Sequence, residues 1–127
     1  MRDWSILDEI WLIIQDRADH PTAGSYVSSL LTHQKGVDRS LEKVGEEAVE
    51  FILAAKNEIP ERTVSEAADL LFHLLVALQA SGTDVADVLD ELAARRKSQL
   101  VTTPSAPGFG RVRRTASRMR QDAGQCW

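Results

Sequence analysis

Four acidic residues in the middle of the chain have the types and the spacing of a metal site. Glu47 and Glu50 are three residues apart, and so are Glu66 and Asp69. On an α-helix, positions i and i+3 are neighbours, with Cβ atoms about 5–6 Å apart. Two antiparallel helices would bring both pairs together, where two carboxylates at ~4 Å repel by about 4 kcal/mol at an effective dielectric constant of 20. A divalent cation removes this repulsion, and oxygen ligands alone favour Mg²⁺ or Mn²⁺ over Zn²⁺.

Each half of this pattern also has an interpretation without a metal. EExxE sequences are common on solvated helix faces, and Thr63-Val-Ser-Glu66 has the form of a capping box, in which Glu66 only reaches back to the start of its helix. Asp69 favours the metal, because it stands inside the apolar run EAADLLFHLLVAL, where helix propensity gives no reason for an aspartate. Glu50, in AVEFILAA, has similarly apolar neighbours. Acids in apolar surroundings on two successive helices predict a metal-binding cluster.

The elements that must position these acids are predicted to be helices. Apolar spacing in the first 97 residues follows the helical period, without sustained alternation of period two. Residues 17–26 contain Pro21 and Gly24 and are expected to form a loop. Four helices joined by short loops, as in a bundle, are expected over about 3–16 (with Asp3 or Ser5 as cap), 38–57 (with Asp38 as cap), 60–81, and 83 or 84 to about 97. The side chains expected to face inward are Leu41, Val44, Ala48, Phe51, Ile52 and Ala55 on the second helix and Val85, Val88, Leu89 and Leu92 on the fourth.

The last 30 residues differ in composition from the rest of the chain. From Ser98 onward, a segment rich in Pro, Gly, Ser and Thr is followed by an arginine-rich stretch without an apolar stripe. Such composition predicts disorder, because it cannot bury enough apolar surface to offset the entropy of ordering. We therefore expect a helical domain over residues 1–97 and a basic, disordered tail over residues 98–127.

Charge and composition exclude several classes of protein. Residues 1–97 hold 10 basic against 18 acidic side chains, a net charge of −8, whereas residues 98–127 hold 5 against 1, a net charge of +4. An acidic body without a basic face is not expected to bind nucleic acid. The N-terminus carries acids where a signal peptide needs an apolar run, and we expect no membrane-spanning segment. A single cysteine, Cys126, excludes an internal disulfide and fits a cytoplasmic location.

The acidic motifs resemble those of a known group of enzymes. EExxE followed by ExxD is similar to the all-α nucleoside-triphosphate pyrophosphatase superfamily, which includes MazG-like and dimeric dUTPase-like enzymes. Within that superfamily the chain more closely resembles the phosphoribosyl-ATP pyrophosphatase family, over about residues 5–97. The matching features are Arg17, GSY at 24–26, KVGEEAVE at 43–50, AAKN at 54–57, EAADLLFHLLV at 66–76 and Arg95-Arg96.

This resemblance implies a fold, a reaction and a set of ligands. The fold is the four-helix, bundle-like subunit of that superfamily, in a homodimer. The reaction is the second step of histidine biosynthesis, in which phosphoribosyl-ATP and water give phosphoribosyl-AMP and pyrophosphate with Mg²⁺. Carried onto this chain, the metal ligands are Glu47, Glu50, Glu66 and Asp69. Glu46 lies on the same broad helix face, where it is the candidate to orient the attacking water or to hold a second ion.

Two residues beside the acids are candidates for substrate binding, each with a structural alternative. Lys43 lies one turn before Glu47, so it could bind phosphate or form only a salt bridge. His73 lies one turn after Asp69, so it could contact the substrate or be a core histidine. The remaining candidates are Ser25 and Tyr26 in the loop, whose alternative is a packed turn, and the arginines Arg17 and Arg95, which by charge and resemblance are candidate phosphate clamps.

Other functions compete with this interpretation. A house-cleaning pyrophosphatase acting on dCTP, dUTP or noncanonical nucleotides would use the same four acids, but the GSY loop and the EAADLLFHLLV block favour phosphoribosyl-ATP. A helical module that only mediates assembly would not need acids among apolar residues. A di-iron bundle protein is disfavoured, because the paired ExxH motifs of that class are absent from the sequence.

Overall fold

The predicted all-α fold is confirmed. A computed structural model describes the backbone of residues 2–101 and the side chains of residues 2–97, and this part of the chain contains helices and no strand. The helices are α1 (Ser5–Asp19), α2 (Tyr26–Leu31), α3 (Val37–Lys56), α4 (Pro60–Ala80) and α5 (Val85–Val101).

The chain divides after Val85 into two compact units. The first contains α1 to α4, and the second contains α5 from Ala86 onward. α5 continues to Val101, past the predicted end near Lys97. The rest of the predicted tail lies outside the described residues.

The hydrophobic core of the first unit lies between α1, α2 and the C-terminal half of α4. Burying one such side chain contributes about 1.5–3 kcal/mol, so these few residues hold the three helices together. Ile14 and Val76 are completely buried. The whole cluster consists of Trp11 and Ile14 from α1, Val27 and Leu30 from α2, and Leu75 and Val76 from α4.

The short helix α2 was not predicted, because six residues are too few to display a helical period. A local cap begins it: the Ser25 hydroxyl accepts a hydrogen bond from the backbone N–H of Ser28 at 3.2 Å. Burial of Val27 and Leu30 then ties the helix to the core. As a consequence Tyr26, the first residue of α2, has a fixed position rather than a place on an open loop.

α3 and α4 form an antiparallel hairpin, because they pack against each other extensively and only three residues join them. Pro60 is the first residue of α4, as predicted. The predicted cap Asp38 is wrong, since Gly36 occupies the cap position with φ 62° and Asp38 lies in the first turn. At α1 the N-cap is Trp4, and the predicted cap Asp3 accepts the backbone N–H of Ser5 at 3.0 Å.

Most of the apolar stripe on α3 faces away from the core. The buried residues of this helix are Ser40, Glu47 and Ala54, at seven-residue intervals, which is a narrow strip. The prediction of inward-facing residues was therefore wrong for Leu41, Ile52 and Ala55, which are exposed, while Val44, Ala48 and Phe51 are half-buried. On the last helix Leu89 and Leu92 are likewise exposed, and Val85 and Val88 are half-buried.

α4 is long and apolar enough, by length and composition alone, to cross a membrane. From the sequence no membrane-spanning segment was expected, so a helix of this length and composition is a departure from that expectation. Helices that form the core of a protein pass the same test. α4 packs against α1, α2 and α3, and its Leu75 and Val76 belong to the core. Only 22% of its apolar stretch is buried, however, and Val64, Leu71 and Leu74 are exposed. One such helix is weak evidence for a membrane span.

Candidate active site between α3 and α4

Three of the four predicted metal ligands converge where α3 crosses α4. Glu47 on α3 and Glu66 and Asp69 on α4 each present a carboxylate oxygen, and these oxygens all lie within 4.8 Å of one another. Glu47 and Glu66 are buried, whereas Asp69 is exposed. The cluster therefore has a closed side within the protein and an open side that faces solvent, as a site for an ion and a substrate requires.

Each buried acid of the cluster is paired with a cation one turn earlier on its own helix. On α3, Lys43 Nζ lies 2.9 Å from Glu47 Oε1. On α4, Arg62 Nη2 lies 2.8 Å from Glu66 Oε1. These pairs partly neutralise carboxylates that would otherwise be unpaired charges in a poorly hydrated environment. Arg62 was missed by the sequence analysis, although its spacing from Glu66 is the same as that of Lys43 from Glu47.

The pKa values of the α3 carboxyl groups differ because their neighbours differ. The hydrogen bond from Lys43 lowers the pKa of Glu47 below its ordinary value of 4.5, and burial acts in the opposite direction. The hydrogen bonds to Glu47 and Glu46 raise the pKa of Lys43. Side-chain hydrogen bonding with the carboxyl group of Glu47, and then with that of Glu66, raises the pKa of Glu50. Glu50 therefore lies beside the cluster, where its protonated form is favoured because it can donate a hydrogen bond to these carboxylates and, to a smaller extent, because their charges repel its own.

The donor set fits a hard divalent cation. All three converging groups are carboxylates, the ligand type that Mg²⁺ and Mn²⁺ prefer. Glu66 Oε2 is buried and has no hydrogen-bond partner among the described residues. A buried carboxylate oxygen without a partner costs free energy, and a bound cation would satisfy it. The residues present thus suit the metal that the acidic motifs predict.

Glu46 and Glu50 occupy the exposed edge of the cluster. Glu46 Oε2 accepts a hydrogen bond from Lys43 Nζ at 3.0 Å, so one ammonium group bridges Glu46 and Glu47. Glu50 is exposed, and it follows Glu47 by one helical turn. The capping box that was the alternative interpretation of Glu66 does not form. Glu66 lies inside α4 and pairs with Arg62, while the Thr63 hydroxyl donates to the carbonyl of Ile59 at 2.9 Å.

A tyrosine and a histidine from separate helices meet next to these acids. Tyr26 Oη lies 2.9 Å from His73 Nε2, and His73 Nδ1 lies 2.7 Å from the carbonyl oxygen of Asp69. A carbonyl only accepts, so Nδ1 carries the proton, and in the neutral ring Nε2 accepts the hydrogen bond that the tyrosine donates. Both rings also contact Phe72 at centroid distances of 6.1 and 5.1 Å. The bond from His73 to the backbone of Asp69 places this pair directly beside the acids.

Three predicted substrate-binding residues have other contacts in the structure. Arg17 pairs with Asp16, its neighbour in the sequence. The Ser25 side chain caps α2. Arg95 belongs to the second unit, where Nε lies 2.9 Å from Glu91 Oε1.

An all-α fold whose two central helices gather carboxylates at their contact fits the all-α nucleoside-triphosphate pyrophosphatase superfamily, which the motifs indicated and to which the matching family belongs. Within this class the chain belongs to the phosphoribosyl-ATP pyrophosphohydrolase family, whose sequence model matches residues 7–96. The match includes every residue of the acidic cluster and the aromatic residues beside it.

Several similar proteins carry the name phosphoribosyl-ATP pyrophosphatase. One from Methanoculleus marisnigri is 84% identical over 97 residues, which is 76% of this chain and 100% of that protein. One from Methanosphaerula palustris is 60% identical over 99 residues, 78% of this chain and 100% of that protein. A third, from Methanocorpusculum labreanum, is 58% identical over 97 residues, 76% of this chain and 93% of that protein.

Proposed function

We propose that this protein hydrolyses phosphoribosyl-ATP to phosphoribosyl-AMP and pyrophosphate, the second step of histidine biosynthesis. The observation that carries this proposal is the family match over residues 7–96, which includes the acidic cluster. The name phosphoribosyl-ATP pyrophosphatase, shared by the similar proteins above, supports the same reaction. The proposed location of this reaction is the cytoplasm, where nucleotides and histidine precursors are dissolved metabolites.

Mg²⁺, with Mn²⁺ as a substitute, is the proposed cofactor. Glu47, Glu66 and Asp69 would hold it, with Glu50 as a fourth ligand from the edge of the cluster. When bound, such an ion neutralises phosphate charge and lowers the pKa of bound water. The support from the structure is the convergence of oxygen donors and the unpaired Oε2 of Glu66.

The chain's own residues have distinct proposed roles in the hydrolysis. Water attacks phosphorus, a new P–O bond forms, and the anhydride bond between the α- and β-phosphates breaks, so that pyrophosphate leaves. Glu46 is exposed beside the cluster and is proposed to orient the water and accept its proton. Lys43 bridges Glu46 and Glu47, and its third N–H is proposed to bind a phosphate oxygen at the same time. Tyr26, held by His73, presents its hydroxyl oxygen as an acceptor for a substrate N–H or O–H.

The remaining predicted substrate contacts are made by side chains that have intramolecular partners, with which a substrate would compete. Arg17 and Ser25 have intramolecular partners, and a phosphate would have to compete with Asp16 for the arginine and with the α2 cap for the serine. Arg95 pairs with Glu91, and a role at the substrate likewise requires that this pair opens.

We also propose that the protein is a homodimer, with a second copy covering the outward face of the α3–α4 hairpin. Apolar side chains there are half or more exposed, including Leu41, Val49, Ile52 and Leu53 on α3. An exposed apolar face of this extent is typical of an interface, and the family resemblance implies the same assembly. Ile52→Glu should shift the sedimentation of the purified protein from dimer to monomer, whereas Glu61→Gln on the polar start of α4 should not. A wild-type protein that sediments as a monomer at micromolar concentration would contradict the proposal.

The substrate is tested by offering the purified full-length protein phosphoribosyl-ATP beside dCTP and dUTP, with Mg²⁺, and measuring pyrophosphate release. We expect phosphoribosyl-ATP to be hydrolysed with by far the highest kcat/KM. Expression of the gene should also restore growth without histidine to a strain that lacks this activity. Efficient hydrolysis of dCTP or dUTP, with no complementation and no activity on phosphoribosyl-ATP, would replace the proposal with a house-cleaning function.

A further inference from the structure

The carboxylate of Glu66 is held asymmetrically. Its Oε1 accepts a hydrogen bond from Arg62 Nη2 at 2.8 Å, whereas its Oε2 is buried without a partner among the described residues. The residue as a whole is only 8% exposed. An ionised carboxylate with one oxygen fixed and the other unsatisfied is poised to give the second oxygen to a ligand.

We propose that Arg62 is a positioning residue for the metal site, which fixes the Glu66 carboxylate so that its free oxygen is available to the cation. This inference rests on the metal site of the proposed function. The guanidinium belongs to α4, one turn before Glu66, so the bond forms within one helix and needs no movement of α3. Groups that hydrogen-bond a metal ligand orient it, and their loss weakens metal binding about 10- to 100-fold.

The same arrangement occurs on the facing helix, which supports the assignment. Lys43 fixes Glu47 Oε1 from the preceding turn of α3 at 2.9 Å. Both buried ligands are thus oriented by a cation at the i−4 position, one from each helix. The two cations differ in exposure, since the side chain of Lys43 is 16% exposed and that of Arg62 is 61% exposed. The exposed arginine can therefore be removed with little effect on packing.

The charge of Arg62 and its proposed orienting role predict opposite changes in metal affinity when the residue is removed. A positive charge beside a cation site repels the metal, so if charge alone mattered, removing Arg62 would tighten metal binding. If the arginine orients Glu66, its removal leaves the carboxylate free to rotate away from the cluster, and metal binding weakens. The sign of the change in metal affinity decides between these two roles.

The experiment measures Mn²⁺ binding to the metal-free full-length protein, by titration calorimetry and by the EPR signal of free Mn²⁺. Arg62→Met is expected to weaken Mn²⁺ affinity about 10-fold or more, with an unchanged circular dichroism spectrum. Arg62→Lys is expected to recover most of the affinity, since a lysine performs the equivalent task on α3. Lys35→Met is the matched control, because it removes a cation of similar exposure (56% against 61% for Arg62) whose partner, Glu42, lies outside the cluster.

Two results would overturn the inference. If Arg62→Met binds Mn²⁺ more tightly than the wild type, the arginine acts only through its charge, and if the affinity is unchanged, the arginine does not orient Glu66 for the metal. If Arg62→Lys is as weak as Arg62→Met, a cation at this position does not suffice to orient Glu66. Both results are distinct from failure of the proposed metal site itself, in which the wild-type protein would bind no Mn²⁺ at all.

Discussion

Removal of Lys43 tests how the metal-free protein tolerates its buried acids. The Lys43 side chain is 16% exposed, and that of Glu47 is 8% exposed, so the pair is largely shielded from water. The hydrogen bond from Lys43 is the largest cause of the lowered pKa of Glu47. Lys43→Met keeps most of the length of the side chain and an unbranched apolar stem, but it leaves Glu47 as a buried charge without its partner.

The expected loss of stability follows from this burial. Breaking a fully buried ion pair by removing one partner costs about 3–5 kcal/mol. Because some water reaches Lys43, we expect about 2–3 kcal/mol for this pair. For a domain of this size, such a loss lowers the melting temperature by roughly 8–20 °C.

The assay is thermal unfolding of wild type and Lys43→Met, with a chelator and with saturating Mg²⁺. We expect the full loss of stability in the presence of the chelator and a smaller loss with Mg²⁺, since a bound cation would supply the positive charge that Glu47 no longer has beside it. The double variant Lys43→Met/Glu47→Gln should regain much of the stability, whereas Lys35→Met should hardly change it. The reasoning is refuted if Lys43→Met melts within about 2 °C of the wild type in chelator, a shift of less than ~0.5 kcal/mol.

The same pair predicts the direction of a pH effect in the chelated protein. The pKa of Glu47 is lower in the folded protein than its ordinary value of 4.5. Its ion pair therefore contributes stability that is present above pH 4.5 and is lost as the pH falls through the folded-state pKa. The difference in stability between wild type and Lys43→Met should accordingly shrink below pH 4.5, which denaturant titrations at several pH values would show. A difference that stays constant down to pH 3 would contradict this.

Three further predictions concern the cluster, its aromatic neighbours and the tail. Glu50→Gln and Asp69→Asn should each lower Mg²⁺-dependent turnover by orders of magnitude. They should not lower the melting temperature of the chelated protein, because they reduce repulsion among the acids. Near-normal turnover with a large drop in melting temperature would instead make these residues structural. Tyr26→Phe keeps the ring but leaves the buried Nε2 of His73 without its partner, so we expect the free energy of unfolding to fall by about 1–3 kcal/mol and kcat/KM to be lower. Unchanged stability and kinetics would refute the pairing. Truncation after Val101 should leave folding and turnover intact, since 97 residues of this chain cover the full length of the protein from Methanoculleus marisnigri; aggregation or loss of turnover would show that the tail is needed.

Much of the helix pattern and the acidic motif could be predicted, because both are local. The start of α4 at Pro60 follows from the fixed φ of proline, and the pairs Glu47/Glu50 and Glu66/Asp69 follow from the helical repeat. Short local features were harder to predict from the sequence. α2 is too short for a periodic signal, and its cap at Ser25 is recognisable mainly once the helix is known.

The exposed stripe on α3 shows a different limit. Apolar spacing correctly indicates an amphipathic helix, but it does not say which body covers the apolar side. Leu41 and Ile52 are apolar and yet exposed, because α4 covers only the narrow strip that includes Glu47. A pattern of hydrophobic residues is the same whether a second copy or the chain's own core provides the contact.

The sequence by itself determined which residues share a helix face, because that depends only on 3.6 residues per turn. Tertiary structure alone decided what each face meets. It buried Glu47 and left Glu50 exposed, although both lie on the same face of α3. It also joined Tyr26 to His73 across 47 positions of sequence. The physical reason is that burial, pKa and long-range hydrogen bonds depend on the packing of one helix against another, and local periodicity contains no information about that packing.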